Sequence, residues 1–134
     1  MKDIADEELI KKAASVINKR EIGGFTVGDV GCALITHHGN IFTGVSIDTS
    51  SGMGFCAEHS AIAAMVTAGE SEIRKLVAVW KENEDLYVLP PCGRCRQFIY
   101  KINETNLNAD IILGKNNLVK LIELIPHHDE FKKI

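Results

Sequence analysis

The chain has no apolar stretch near the ~18 residues of a membrane-spanning helix, so nothing in it is expected to cross a bilayer. Met1 to Glu8 contain no apolar run of the kind found in secretory leaders. Basic residues never exceed a pair in sequence, and 15 Lys and Arg against 18 Asp and Glu leave a net charge of −3. That balance lacks the positive footprint of a nucleic-acid binder. Internal repeats, low-complexity tracts and linkers are also missing. Only four cysteines occur, with no leader before them, which points to a reducing, cytoplasmic setting. There a Cys-x-x-Cys is more often a metal site or a catalytic pair than a disulfide.

What remains is an ordinary globular composition, 46% hydrophobic and 25% charged over 134 residues. That length predicts one domain, residues 1–134, with a core large enough to fold without a metal or disulfides. Leu9, Ile10, Ala13, Val16 and Ile17 share one helical face, which predicts a helix over 6–19 stopped by Gly23-Gly24. Residues 30–36 and 41–47 read as a β-hairpin about the turn His37-His38-Gly39-Asn40. A helix over 56–68, strands over 76–80 and 86–89, a helix over 93–102, a strand over 109–113 and a helix over 118–125 follow. The order α-β-β-α-β-β-α-β-α favours one sheet covered by helices on both faces.

Two short motifs carry the chemistry. Cys56-Ala57-Glu58 precedes Pro91-Cys92-Gly93-Arg94-Cys95, and both fall where a helix begins. Helix N-termini offer free N–H groups and partial positive charge, which favour thiolates. Cys56, Cys92 and Cys95 can hold Zn²⁺ and leave its fourth position open to water. Glu58, two residues from a ligand, can move that water's protons. Three thiolates on one zinc leave a net charge of −1, so Arg94 and Arg96 are candidates to offset it.

These motifs resemble the cytidine deaminase family of zinc-dependent nucleoside deaminases. The stretches Ile41-Phe42-Thr43-Gly44-Val45 and Pro91 to Gln97 look most like its blasticidin S deaminase branch. The resemblance implies a three-layer αβα sandwich with a five-stranded mixed sheet, one zinc ion per subunit and a homotetramer. It also implies hydrolytic replacement of the cytosine 4-amino group by oxygen, with release of ammonia, on cytidine or deoxycytidine. Blasticidin S is the alternative substrate, and polynucleotide is not expected. Cys56, Cys92 and Cys95 take the ligand positions, and Glu58 that of the proton shuttle. Ser46-Ile47-Asp48 stands where the family usually has Asn-x-Glu for the ribose, so Ser46 and Asp48 become candidate substrate contacts. His59 follows Glu58 where many relatives carry Arg. Phe25 is a candidate to stack on the pyrimidine, and Phe131 loosely matches a tail residue that closes the pocket.

Plainer readings stand beside these. His59 could complete a closed Cys₃His structural zinc site with the three cysteines. Cys92-x-x-Cys95 could be a thioredoxin-like redox pair, which gives Cys56-Ala57-Glu58 no task. Cys32 reads as a buried strand thiol. His37-His38 and His127-His128 read as solvated, and Trp80, Tyr87 and Phe42 as packing residues.

Overall fold

The computed structural model describes residues 3–134. Helix α1 (Asp6–Ser15) opens on Asp6, Glu7 and Glu8, whose charges suit the positive end of the helix dipole, and it buries Leu9 and Ala13. It stops four residues before the expected Lys19. The Asn18 N–H is bonded to the Gly28 carbonyl at 2.9 Å, which draws the chain onto the sheet. Lys75 fastens the start of α1. Its buried ammonium donates to the Ile4 carbonyl at 2.9 Å and to Asp6 Oδ1 at 2.7 Å.

Strand β1 (Arg20–Ile22) turns through Gly23-Gly24 into β2 (Phe25–Thr36). Both glycines have positive φ, the backbone a two-residue hairpin turn requires. The expected stop signal is therefore a hairpin, and β2 begins at Phe25 rather than at residue 30. β3 (Ile41–Asp48) and α2 (Ala57–Thr67) follow, then β4 (Ile73–Glu82), β5 (Asp85–Leu89) and α3 (Gly93–Ile102). The chain ends with β6 (Asp110–Gly114), β7 (Asn117–Lys120) and a 3₁₀ turn at Leu121–Leu124. The helix expected over 118–125 is thus a strand and a turn. Asn116 takes φ 55°, which reverses the chain so that Leu118 pairs with Ile112.

Among the described residues the sheet holds seven strands rather than the expected five, the additions being β1 and β7. β2 pairs with β1, β3 and β4, while β4 also pairs with β5 and β6, and β7 pairs with β6. Among the described residues, only β4 and β6 run parallel. Side chains alternate across this sheet, as the pleat demands. Cys32, Leu34 and Leu76 pack with α2 and α3 on one face. Ala33, Ile35, Val77 and Val79 pack with α1 on the other. The result is the expected αβα sandwich, with Cys32 buried in a strand as read from sequence.

Candidate active site

Helix α2 is seated by a close approach to β3. A Cβ on Gly44 would lie 2.3 Å from the Ala61 nitrogen, so no larger residue fits there. Ser60 adds a hydrogen bond from its hydroxyl to the Val45 carbonyl at 2.8 Å. Phe55 exchanges backbone hydrogen bonds with Ile47 at 2.9 and 3.0 Å, returning the loop to β3 just before the helix. Cys56 is the N-cap residue of α2, so this seating also places its sulfur and Glu58.

Helix α3 supplies the other two sulfurs. Cys92 is its N-cap and Cys95 lies in its first turn. Arg96 holds the incoming loop by donating to the Pro91 carbonyl at 2.7 Å and to the Leu124 carbonyl at 3.2 Å. Cys56 Sγ and Cys92 Sγ are 3.5 Å apart, as are Cys92 Sγ and Cys95 Sγ. All three sulfurs lie within 4.8 Å of one another. Three sulfurs at about 2.3 Å from a shared tetrahedral zinc would stand about 3.8 Å apart, so the donor set fits that ion. The convergence of the third sulfur also removes the redox-pair reading, which has no place for Cys56.

The thiols differ in their surroundings. Burial pushes the Cys95 thiol far up, and burial likewise raises Cys56. Burial also opposes ionisation of Cys92, but N–H groups at Cys95 and Arg94 and the neighbouring thiols outweigh it and hold Cys92 below the usual thiol range. Such a set releases protons when it takes a metal. Glu58, only 4% exposed, faces the same cluster. Desolvation raises its pKa, against lowering contributions from its own backbone N–H and from Cys95.

His59 is 9% exposed, and its ring is stacked on Phe98 at 4.3 Å with an interplanar angle of 1°. Phe55 stacks at 5.7 Å. Nδ1 lies 3.5 Å from Cys95 Sγ. Among the described residues, the group drawn together for a metal is Cys56, Cys92 and Cys95, without His59. The alternative Cys₃His site is therefore not assembled. The imidazole instead addresses one ligand's sulfur, a task that sequence spacing did not reveal. Burial lowers its pKa, so the neutral ring, with one N–H to donate, is the favoured form.

A cavity of about 170 Å³ reaches Cys56, Glu58 and Cys92 and is walled by Val30, Ser46 and Leu89. It adjoins a wider one of about 410 Å³ that shares Val30, Ser46 and Cys56 and includes Asp29, Asp48 and Arg94. Ser46 thus lies where the two meet, and Asp48 borders the outer space. Ser46 Oγ accepts the Val30 N–H at 3.0 Å, leaving its own O–H to donate. Arg94 donates to the Gly54 carbonyl at 3.3 Å. Neither described cavity is walled by Phe25 or Phe131. Phe25 opens β2 at 40% exposure, and Phe131 is 93% exposed in the tail. Asp29 was not anticipated, although a glycine inside a strand pattern at Gly28 is a signal for a bulge. His37 and His38 are exposed turn residues, and His128 lies against Tyr100 at 4.7 Å. Trp80 and Tyr87 form a cross-strand pair at 5.4 Å.

Comparison with known proteins follows the same line. A sequence model of the cytidine and deoxycytidylate deaminase zinc-binding region matches residues 3–109. A cytidine deaminase of Mycoplasma genitalium is 37% identical over 91 residues, covering 67% of this chain and 68% of that one. A probable cytidine deaminase of Dictyostelium discoideum is 41% identical over 70 residues, covering 52% of this chain but only 46% of its own length. A blasticidin-S deaminase of Bacillus cereus is 36% identical over 76 residues, covering 52% of this chain and 54% of its own. The crystal structure of cytidine deaminase from Mycobacterium leprae superposes with a TM-score of 0.75 at 28% identity, over 93% of this chain and all of that one.

Proposed function

Since the chain belongs to the cytidine and deoxycytidylate deaminase zinc-binding family, we propose that it hydrolyses the 4-amino group of cytosine nucleosides, giving the uracil nucleoside and ammonia. The observation that carries this reading is a buried carboxyl, Glu58, beside three converging sulfurs on the wall of a cavity of about 170 Å³. Cys56, Cys92 and Cys95 would hold the zinc. When bound, the ion acidifies and orients a water molecule for attack.

The remaining work belongs to side chains. Glu58 accepts a proton from the attacking water as oxygen adds to C4, and delivers it to N3. It then carries the second proton to the departing amine, and the C4–N bond breaks as the carbonyl forms. A carboxyl raised by burial suits both directions of transfer. His59 Nδ1 lies 3.5 Å from Cys95 Sγ, and the tautomer protonated there would draw negative charge off the sulfur and fix its position. Of the two arginines proposed to offset charge, Arg94 lines the outer cavity together with Cys56, whereas Arg96 donates to the Pro91 and Leu124 carbonyls. Ser46 and Asp48 serve the substrate's sugar side.

Blasticidin S remains a second reading, favoured by the match to the Bacillus cereus enzyme. The net charge of −3 supports a small-molecule substrate over nucleic acid. Four unpaired cysteines support a reducing, cytoplasmic setting. No helix among the described residues is long and apolar enough to cross a membrane. The proposed assembly is a homotetramer, which light scattering measures directly. The deciding experiment offers zinc-loaded protein cytidine, deoxycytidine, cytosine, guanine and blasticidin S, following cytosine absorbance and ammonia. Turnover of the first two is expected. Turnover of guanine alone, or of nothing, would end the proposal.

A further inference from the structure

Strand β2 does not run evenly along β3. Its register shifts between Val27 and Gly31, the mark of a β-bulge. The bulge is built into the chain rather than being an irregular end. Gly28 takes φ +75°, and a Cβ there would lie 2.2 Å from the Asn18 carbonyl oxygen. Its own carbonyl accepts the Asn18 N–H at 2.9 Å. Beyond the bulge, the Val30 N–H turns to the Ser46 side chain at 3.0 Å. A bulge of this kind re-aims the side chain it carries. Here that side chain is Asp29, and it lines the outer cavity with Asp48.

The chemistry proposed for the inner cavity says what must occupy the outer one. C4 of a pyrimidine faces the reacting water, and N1 lies across the ring from C4. A substituent on N1 therefore projects away from the sulfurs, into the space that shares Val30, Ser46 and Cys56 with the inner cavity. On that side stand Asp29, Asp48 and the hydroxyl of Thr49, whose Oγ1 is buried with no partner among the described residues. Carboxylates accept hydrogen bonds and repel anions.

We propose that Asp29, presented by the bulge at Gly28, is a specificity-determining residue that accepts hydrogen bonds from the sugar hydroxyls of the substrate and repels a phosphate on that sugar. The inference rests on the deaminase reading above and assigns to Asp29 a task that the motif residues Ser46 and Asp48 do not exhaust. It makes the outer cavity a charge filter, in which the carboxylates of Asp29 and Asp48 outnumber the one guanidinium of Arg94 on the same wall.

The test compares zinc-loaded wild type with Asp29→Asn on cytidine and on cytidine 5′-monophosphate, with zinc content and thermal midpoint measured alongside. Wild type is expected to favour cytidine strongly. In Asp29→Asn, kcat/KM for cytidine should fall about 10-fold, mainly through KM, while the preference over the monophosphate narrows by a further ~10-fold. Raising the salt concentration should shrink the wild type's discrimination more than the variant's. An active wild type whose preference is unchanged by Asp29→Asn overturns this inference alone, as does a loss confined to kcat or a wild type that prefers the monophosphate. A zinc-loaded wild type inactive on cytidine overturns the deaminase reading and this inference with it.

Discussion

The inner and outer cavities meet at Ser46 and Val30 but are built from different materials. The inner wall stands on the first turns of α2 and α3, seated by the Gly44 approach and the Arg96 hydrogen bonds. The outer wall is a bulge, a strand end and the loop through Gly52 and Gly54. Rigid helix starts suit atoms that must converge within a few ångströms, whereas loops let the same chemistry meet different substituents. On the proposed function, the reaction is specified on one side of Ser46 and the choice of substrate on the other.

The sharpest way to break that division is to alter each side alone. Glu58→Gln should retain zinc and fold while kcat falls by about 10³-fold or more, read from cytosine absorbance and metal content. A variant that still turns over would detach Glu58 from the chemistry. His59→Ala should weaken zinc retention against a chelator by about 10-fold, through loss of the Nδ1 contact to Cys95. Its stack with Phe98 also goes, so His59→Phe separates packing from donation: it should recover stability without recovering zinc affinity. Ser46→Ala, at the junction, should raise KM for cytidine by roughly fivefold with kcat little changed, as expected for one lost hydrogen bond. A collapse in kcat would move Ser46 to the inner side.

The smallest effect provides a control remote from both cavities. Asp3 bonds Arg74, which holds its carboxyl down to about 2. A depressed carboxyl pKa adds stability that is complete above the ordinary 3.8 and is lost as pH falls toward about 2. The pair is exposed, so Asp3→Asn should cost no more than about 0.5 kcal/mol at neutral pH, with the difference vanishing in acid and both kinetic constants intact. Denaturant midpoints across pH measure it.

What could be read from sequence divides along the same boundary. The convergence of Cys56, Cys92 and Cys95 was legible because metal chemistry fixes both residue type and spacing. Helices α2 and α3 were legible because those motifs open them. The tail was misread because Leu118, Val119, Leu121 and Ile125 fit a helical face, while the reversal at Asn116 depends on pairing with β6. Phe25 was a candidate to stack on the pyrimidine for its ring and its place beside Gly23-Gly24, and the β1 hairpin sets it at a strand end outside the lining of both cavities. His59 was seen as a spare ligand because an i, i+3 spacing cannot show which sulfur its nitrogen will face, or that two phenyl rings will hold it. Asp29 was invisible because its direction follows from a bulge, and a bulge is a property of two strands.

The bond from Arg96 to the Leu124 carbonyl gives the end of the fold a line of sight to the sulfurs. A fluorophore or isotopic probe installed near Leu124 would sense whether the loop before α3 is taut or slack, although it sits on a different element from any cysteine.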